Sequence, residues 1–402
     1  MIKNLLLKQP QWRKNQIAVT VSGAFLSFSY TLVIPFLPIF VRQLGVESTG
    51  GIAFWSGLLI AVSPIIASLA GPLWGRIGDR HGMKALATRT TAANTIFSFL
   101  MGFSRNVWQL FAWRAVLGVT GGFNSVSVAL ITQSSPREKV PSIIGTLQSV
   151  QLLSAAVGPF LGGILASTIG IRNTFFVVGI INLGAFLTMM LLYSNEKIAK
   201  TREPEIEESA SPSKPASFWR RPEYFTSLLI LFFVNMADRT FGPIIPLFLE
   251  ELGTPRGRLE LVAGTLISIA AFGEAFSAWL SGKLASRVPL RRLITARLVL
   301  SILVLVPMVF VHTTQQFSIL RVMLALLAGG TITLALSTAH HVIPSEQHGA
   351  GFALLQSTSM FGTAIGPLIA GSMAALSIRS IFVFNSAVYL LMIIFVRRNV
   401  RH

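Results

Sequence analysis

Long apolar stretches alternate with short polar segments along almost the whole chain of 402 residues. A helix needs about 20 apolar residues to cross the hydrocarbon core of a bilayer, and twelve stretches approach or exceed that length. They lie at residues 17–41, 53–74, 85–103, 107–131, 141–167, 173–193, 224–249, 261–282, 291–311, 316–338, 349–371 and 379–396. The pattern predicts an all-α membrane protein with twelve transmembrane helices, here called spans one to twelve.

One of these stretches occurs twice. Residues 145–163 read GTLQSVQLLSAAVGPFLGG and residues 353–371 read ALLQSTSMFGTAIGPLIAG, so a Gln and a Gly-Pro pair recur at an offset of 208. The same offset relates two prolines of span one to two of span seven, and an offset of 207 relates Arg114 to Arg321. The chain is therefore an internal duplication of two parallel halves.

The duplication predicts two pseudo-symmetric six-helix bundles, at residues 1–193 and 224–402. Such halves enclose a midplane site and move about it in alternating access. Residues 194–223 combine charge, Ser and Pro and cannot bury enough apolar surface to fold alone. We expect this segment to be a cytoplasmic linker.

Composition and charge support a membrane protein. The chain is 52% hydrophobic and only 12% charged, with a mean hydropathy of +0.66. Its net charge of +18 does not predict nucleic-acid binding, because the cations lie in short loops: one side holds 22 of the 33 Lys and Arg residues and the other side 6. By the positive-inside rule both termini are cytoplasmic. The chain contains no cysteine, and we expect no metal site and no cofactor.

A basic loop with three glycines joins spans two and three. It reads GRIGDRHGMK over residues 75–84 and resembles the signature of the major facilitator superfamily, G-x-x-x-D-R-x-G-R-K, with Met83 in place of the usual cation. The resemblance implies a latch between the two halves of the protein, whereas an ordinary basic turn is the alternative. The residues it assigns to conformational change are Gly75, Asp79, Arg80, Gly82 and Lys84.

The Gly-Pro pairs of spans five and eleven are further conformational candidates: Gly158, Pro159, Gly366 and Pro367. Proline removes a helical hydrogen bond, and glycine allows a neighbouring helix to approach closely. The span-five pattern resembles the antiporter motif of bacterial drug/proton exporters in the same superfamily, with Ser154 where that motif has Gly. The resemblance implies export.

Charged residues deep in the spans are functional candidates, because an unpaired charge there is costly. Arg114 in span four resembles a superfamily arginine linked to proton transfer, although a structural pair is equally compatible with its position. Of the fifteen acidic residues only Asp238 and Glu274 lie deep in spans, and we predict that Asp238 carries the proton. Asp238 and Arg239 are consecutive in a helix and are not expected to form a ready ion pair. Glu274 is predicted either to assist transport or to pair structurally with Arg297.

The predicted substrate pocket is apolar and aromatic with a few polar groups, which suits an amphiphilic ligand. Its candidate lining residues are Phe25, Tyr30, Asn124, Gln148, Gln151, Asn235, Arg239 and Gln356.

The sequence thus predicts proton-coupled export of amphiphilic drugs across a bacterial inner membrane. The expected partners are a small amphiphilic substrate, protons and membrane lipids, and we expect a monomer. A lipid or glycolipid translocator and a sugar or metabolite exporter are alternatives, because fold alone does not set the substrate. An enzyme is not expected, since no catalytic constellation is visible, and a receptor would need a soluble domain larger than the linker.

Overall fold

The computed structural model describes residues 9–120, 123–194, 221–285, 287–343 and 348–400, and within these ranges its regular structure is entirely helical. Helices occupy each of the twelve predicted spans. In chain order they are Gln11–Val33 with Leu37–Gln43, Thr49–His81, Met83–Gly102, Val107–Thr120 with Phe123–Ser134, Val140–Ile169, Ile171–Leu192, Pro222–Arg239 with Phe241–Glu251, Arg256–Leu284, Leu290–Met308, Thr314–Val342, His348–Ala374 and Ser380–Asn399.

Within the described residues, eight helical stretches are long and apolar enough to cross a membrane. Spans three, four, nine and eleven are not among them, and the structure describes span four as two helices of 14 and 12 residues. Hydropathy and helix assignment together support the predicted all-α membrane fold.

Spans one and seven are each interrupted at matching places. Span one passes through a short 3-10 turn, Ile34–Phe36, that contains Pro35. Span seven is divided at Thr240, three residues before Pro243, the repeat mate of Pro35. Proline has no N–H to donate and clashes with the preceding turn, so these interruptions follow from the sequence.

The described residues form two compact units. The first comprises residues up to 34 and 62–194, and the second comprises residues 35–61 and 221–400. The predicted division into residues 1–193 and 224–402 stays a prediction, because spans one and two contribute to both units. The predicted linker lies outside the described residues except at residues 194 and 221–223.

Each unit repeats the same helix pairings. In the first unit span one packs against span five and span three against span six. In the second unit span seven packs against span eleven and span nine against span twelve. The duplication seen in the sequence is therefore also a duplication of packing.

Candidate functional site

Three charged side chains meet in the second unit. Arg321 of span ten donates from Nη2 to Asp238 Oδ1 of span seven at 3.0 Å. The same Nη2 lies 3.6 Å from Glu274 Oε1 of span eight. The Arg321 side chain is 7% exposed and that of Asp238 14%, so this pairing is withdrawn from solvent and lipid. One buried guanidinium thus serves two carboxylates, which we call the acidic cluster.

The acidic cluster holds hydrogen-bonding capacity that it does not use. Among the described residues, Arg321 Nε and Nη1 are buried without a hydrogen-bond partner. The guanidinium lies 4.6 Å from the centre of the Phe241 ring, a cation–π arrangement that adds to its stabilisation. Asp238 and Glu274 are within reach of a side-chain hydrogen bond with each other. Such a bond requires a proton on one of the two carboxyl groups.

Burial gives the cluster its chemical character. An isolated charge in a bilayer is expensive, and a partner of opposite sign reduces that cost. With two carboxylates and one buried guanidinium, the cluster carries one excess negative charge unless a proton, Arg239 or a substrate balances it. Arg239 contributes weakly, because its side chain is 58% exposed and its Nε lies 3.9 Å from Asp238 Oδ2. The arrangement can therefore hold and release a proton.

Two expectations about ion pairs need correction. Glu274 does not pair with Arg297 in the described structure; Arg297 donates instead to Ser277 and to backbone carbonyls. Asp238 and Arg239 do make contact, at the long distance of 3.9 Å, because the flexible arginine side chain bends back toward its neighbour.

Arg114 occupies a different environment in the first unit. Its side chain is buried, and it interacts with the hydroxyl group of Tyr30 in span one through a side-chain hydrogen bond. Its carbonyl oxygen accepts a hydrogen bond from the Ser63 hydroxyl at 2.6 Å. Tyr30 stands 208 positions before Asp238, so Tyr30 and Arg114 are the repeat mates of Asp238 and Arg321. The coupling role of Arg114 stays a prediction.

The two Gly-Pro helices lie against spans one and seven. A Cβ at Gly158 would overlap the hydroxyl of Thr31, and a Cβ at Gly366 would overlap the carbonyl of Met236. A Cβ at Gly366 would also lie 2.9 Å from the Cβ of Arg239. Span eleven thus touches the turn of span seven that carries Asp238. Both prolines are buried, and each lies within a continuous helix, Val140–Ile169 or His348–Ala374.

The loop candidates are described only in part. The structure does not describe the side chains of Asp79 and Arg80, and Gly75 lies within the helix Thr49–His81. Gly82 has φ +89°, a conformation that favours glycine, and it separates span two from span three. Lys84 is half-buried at the start of span three. Their predicted latch role stays a prediction.

The pocket candidates do not form one described cluster. Gln148 and Gln356 are exposed, and Gln151 is half-buried with its carbonyl accepting from Ser27 at 3.1 Å. The Phe25 ring is 36% exposed. Asn235 is buried, and its amide donates to the Leu231 carbonyl of its own helix at 2.7 Å. The Asn124 side chain lies outside the described residues.

The sequence does not identify two residues at this site, Arg321 of the acidic cluster and Tyr389 beside it. The sequence shows Arg321 as the repeat mate of Arg114, and this is the signal that a second arginine lies deep in a span. Tyr389 of span twelve is 2% exposed and close enough to interact with all three charges of the cluster. No sequence signal distinguishes Tyr389 from other buried aromatic residues. Across the described residues, no group of three or more His, Asp or Glu side chains could hold a metal ion.

Comparison with protein families gives one result over most of the chain. The profile of the Major Facilitator Superfamily matches residues 19–318 and 228–402. The multidrug resistance protein MdtG of Klebsiella pneumoniae (strain 342) is 32% identical over 384 residues, which cover 94% of this chain and 92% of that protein. MdtG of Yersinia enterocolitica is 31% identical over 382 residues, covering 94% and 91%.

A solved structure shares the fold. It is the crystal structure of a bacterial homologue of the human lysosomal transporter Spinster, in an inward-facing and occupied conformation. Its TM-score is 0.75 at 16% identity, over 97% of this chain and 98% of that one. At this identity the likeness concerns the fold alone.

Proposed function

The chain belongs to the major facilitator superfamily, and from that membership we propose that it exports amphiphilic small molecules in exchange for protons. It is a transporter and not an enzyme. We place it in a bacterial inner membrane with both termini in the cytoplasm, as a monomer of two six-helix bundles joined by the linker. The name of its MdtG relatives supports drugs as the substrate class.

The acidic cluster is the observation that carries the proposal of proton coupling. When Asp238 is ionised, its charge is compensated by Arg321 at 3.0 Å. Taking up a proton neutralises Asp238, weakens that attraction and leaves Arg321 to pair with Glu274. Losing the proton on the other side of the membrane restores the first pair. The Arg321 guanidinium therefore pairs with Asp238 when Asp238 is ionised and with Glu274 when Asp238 is protonated.

This exchange links the proton to movement of the helices. Asp238, Glu274 and Arg321 lie on spans seven, eight and ten, so a change of partner alters the attraction between three helices. Differential stabilisation of two conformations is what alternating access requires. A cationic substrate would compete with the proton for the same carboxylates, whereas a neutral one would act through conformation alone.

Proton movement in inverted membrane vesicles tests the proposal. Vesicles that contain the native chain are energised to acidify the interior, and a lipophilic cation, a neutral drug and a lysolipid are added in turn. We expect at least one compound to collapse the pH gradient with the native chain and with Asp238→Glu, which keeps the charge. The same compound should have no effect with Asp238→Asn.

Glu260→Gln is the matched control, because Glu260 lies on the same helix as Glu274 but near its other end. It should behave like the native chain. If Asp238→Asn still releases protons when substrate is added, Asp238 does not couple transport and the proposal fails. If a labelled compound is exported without any proton release from the native chain, the transporter works without proton exchange and the proposal fails as well.

A further inference from the structure

Arg297 of span nine reaches the place where spans eight and ten cross. Its Nη1 lies 2.8 Å from the Ser277 hydroxyl of span eight, and 3.1 and 3.2 Å from the carbonyl oxygens of Leu326 and Leu327 in span ten. The Ser277 hydroxyl also donates to the Leu326 carbonyl. Arg297 therefore binds two helices at once, and we call these contacts the arginine clasp.

Two glycines make the crossing tight. A Cβ at Gly329 would lie 2.8 Å from the Cα of Glu274, so span ten rests on the backbone of the residue that carries the carboxylate. A Cβ at Gly330 would overlap the guanidinium of Arg297 and the hydroxyl of Ser281. The crossing leaves room for the arginine clasp only because no side chain stands at either position.

The position of Arg297 has a cost that surface arginines do not have. A cation within a span is expensive, and in the described structure Arg297 forms no ion pair with any carboxylate. Its Nη1 donates to a hydroxyl and to two backbone carbonyls. Charge neutralisation therefore does not explain this residue, whereas fixing the crossing does.

The first unit carries the same device at the same repeat positions. Arg89 stands 208 positions before Arg297, and its Nη2 lies 3.4 Å from the carbonyl oxygen of Thr120. Its guanidinium also lies 3.1 Å from the centre of the Trp74 ring, and Trp74 Nε1 donates to the Val119 carbonyl at 2.5 Å. In the sequence the next residues are Gly121 and Gly122, and at the offset of 207 that relates Arg114 to Arg321, Gly122 is the repeat mate of Gly329.

The two units differ in whether acidic residues lie near the helix crossing. In the second unit the clasp lies close to the acidic cluster along both helices: Ser277 is three residues after Glu274, and Leu326 is five residues after Arg321. The spans of the first half contain no acidic residue. An arginine at the helix crossing can therefore affect proton exchange in the second unit, through Arg297, and not in the first unit, through Arg89.

We propose that Arg297 is a positioning residue for proton coupling, which holds span ten on span eight so that Arg321 stays within reach of both Asp238 and Glu274. This inference rests on the proposed function, because it assumes that the acidic cluster exchanges the proton. The charged and titratable groups that face Glu274 are Asp238, Arg239, Arg321 and, on span twelve, Tyr389. Arg297 acts on them through the helix crossing and not by contact.

The first arm of the test measures the crossing without transport. Gly273→Cys and Leu326→Cys are introduced together into the cysteine-free chain, since a Cβ at Gly273 lies 3.5 Å from the Leu326 side chain. We expect a short thiol cross-linker to join the two positions rapidly. The rate should fall several-fold when Arg297→Gln is added and recover with Arg297→Lys, which keeps a donor. An unchanged rate in Arg297→Gln would overturn the proposal.

The second arm measures the pH at which substrate-induced proton release is half-maximal, in the vesicle assay and with the compound that gives the largest response. Arg297→Gln should shift this pH by about half a unit or more, and Arg297→Lys by less. Arg89→Gln is the matched control: it loosens the other crossing and should leave this pH unchanged. If Arg297→Gln and Arg89→Gln both lower the rate of proton release without shifting this pH, Arg297 is purely structural and the proposal is wrong.

Failure of the proposed function is recognised separately. If Asp238→Asn keeps proton release, the cluster does not couple transport, whatever the cross-linking shows. If Asp238→Asn abolishes release while Arg297→Gln has the native pH dependence, proton coupling stands and only the positioning role falls.

Discussion

Among the described residues two arginines are buried, Arg114 and Arg321, and they occupy equivalent positions in the two repeats but have different partners. Arg321 faces Asp238 and Glu274, whereas Arg114 faces Tyr30. Tyr30 is the repeat mate of Asp238, and span two, which corresponds to span eight, has no acidic residue within residues 53–74. The duplication has kept the cation in both halves and the carboxylates in only one.

This difference separates two roles that one residue type can have. Carboxylic acids ordinarily titrate near pH 4 and phenols near pH 10. Burial in an apolar environment disfavours the charged form of both groups, so it brings the titration of a carboxyl group closer to physiological pH and moves that of a phenol further away. A tyrosine beside a buried arginine accepts a hydrogen bond from the guanidinium, whereas an aspartate can also take up and release a proton. We therefore expect coupling to depend on the second unit and the Tyr30–Arg114 contact to be mainly structural.

Removing each arginine in turn should give the largest contrast. Arg321→Met leaves two carboxyl groups buried without a cation, and we expect it to lower the free energy of unfolding by about 3–5 kcal/mol and to abolish proton release. Arg114→Met removes a cation from beside a hydroxyl group and should cost less. Thermal unfolding in detergent measures both.

Adding Asp238→Asn to Arg321→Met should recover part of the lost stability without restoring coupling. If the single Arg321 variant is as stable as the native protein, its charge does not compensate the two carboxylates and the comparison breaks down.

The two Gly-Pro helices offer a second contrast. Gly158→Ala and Gly366→Ala each force a methyl group into a closely packed helix contact, and overpacking of this kind costs about 1–3 kcal/mol. The stability losses should be similar. Only Gly366→Ala should also reduce substrate-induced proton release, because it pushes span eleven away from the turn that contains Asp238. Equal losses of proton release in both variants would show that the effect comes from helix packing in general.

Removing the Tyr30 hydroxyl tests whether the first arginine site is structural. Tyr30→Phe deprives Arg114 of a hydrogen bond, and we expect a loss of about 1–2 kcal/mol in the free energy of unfolding. The pH dependence of proton release should match that of the native chain. A shifted pH dependence would mean that the first unit also takes part in coupling.

The smallest effect is expected at the ends of spans one and seven. Arg42 and Glu250 are themselves repeat mates, with Nη2 and Oε2 2.7 Å apart and side chains 33% and 21% exposed. Exposed pairs contribute little, so Arg42→Gln should cost less than about 1 kcal/mol. Combining Arg42→Glu with Glu250→Arg should recover only part of the loss, because Arg256, whose Nε lies 3.0 Å from Glu250 Oε1, then faces a cation. A larger loss would indicate that this pair stabilises one conformation strongly.

Much of the site could be predicted from the chain, and the failures have identifiable physical causes. Asp238 and Glu274 stood out because acids deep in apolar stretches are costly and therefore rare. Arg321 was missed as their partner because the spacing of residues along the chain does not show which faces of three different helices meet. The supposed Glu274–Arg297 pair followed from similar depth in the membrane, but depth says nothing about rotation around the helix axis.

By itself, the sequence determined the twelve helices, the duplication and the family, because hydropathy and repeated motifs are local properties that survive in the linear order of residues. Only the tertiary structure decided which cation serves which acid. That choice depends on the rotation and crossing of helices distant in the chain, and on glycines such as Gly329 that allow one helix to rest on another. It also showed that Arg297, charged and within a span, binds backbone carbonyls, whereas the nearby Glu274 has Arg321 as its partner.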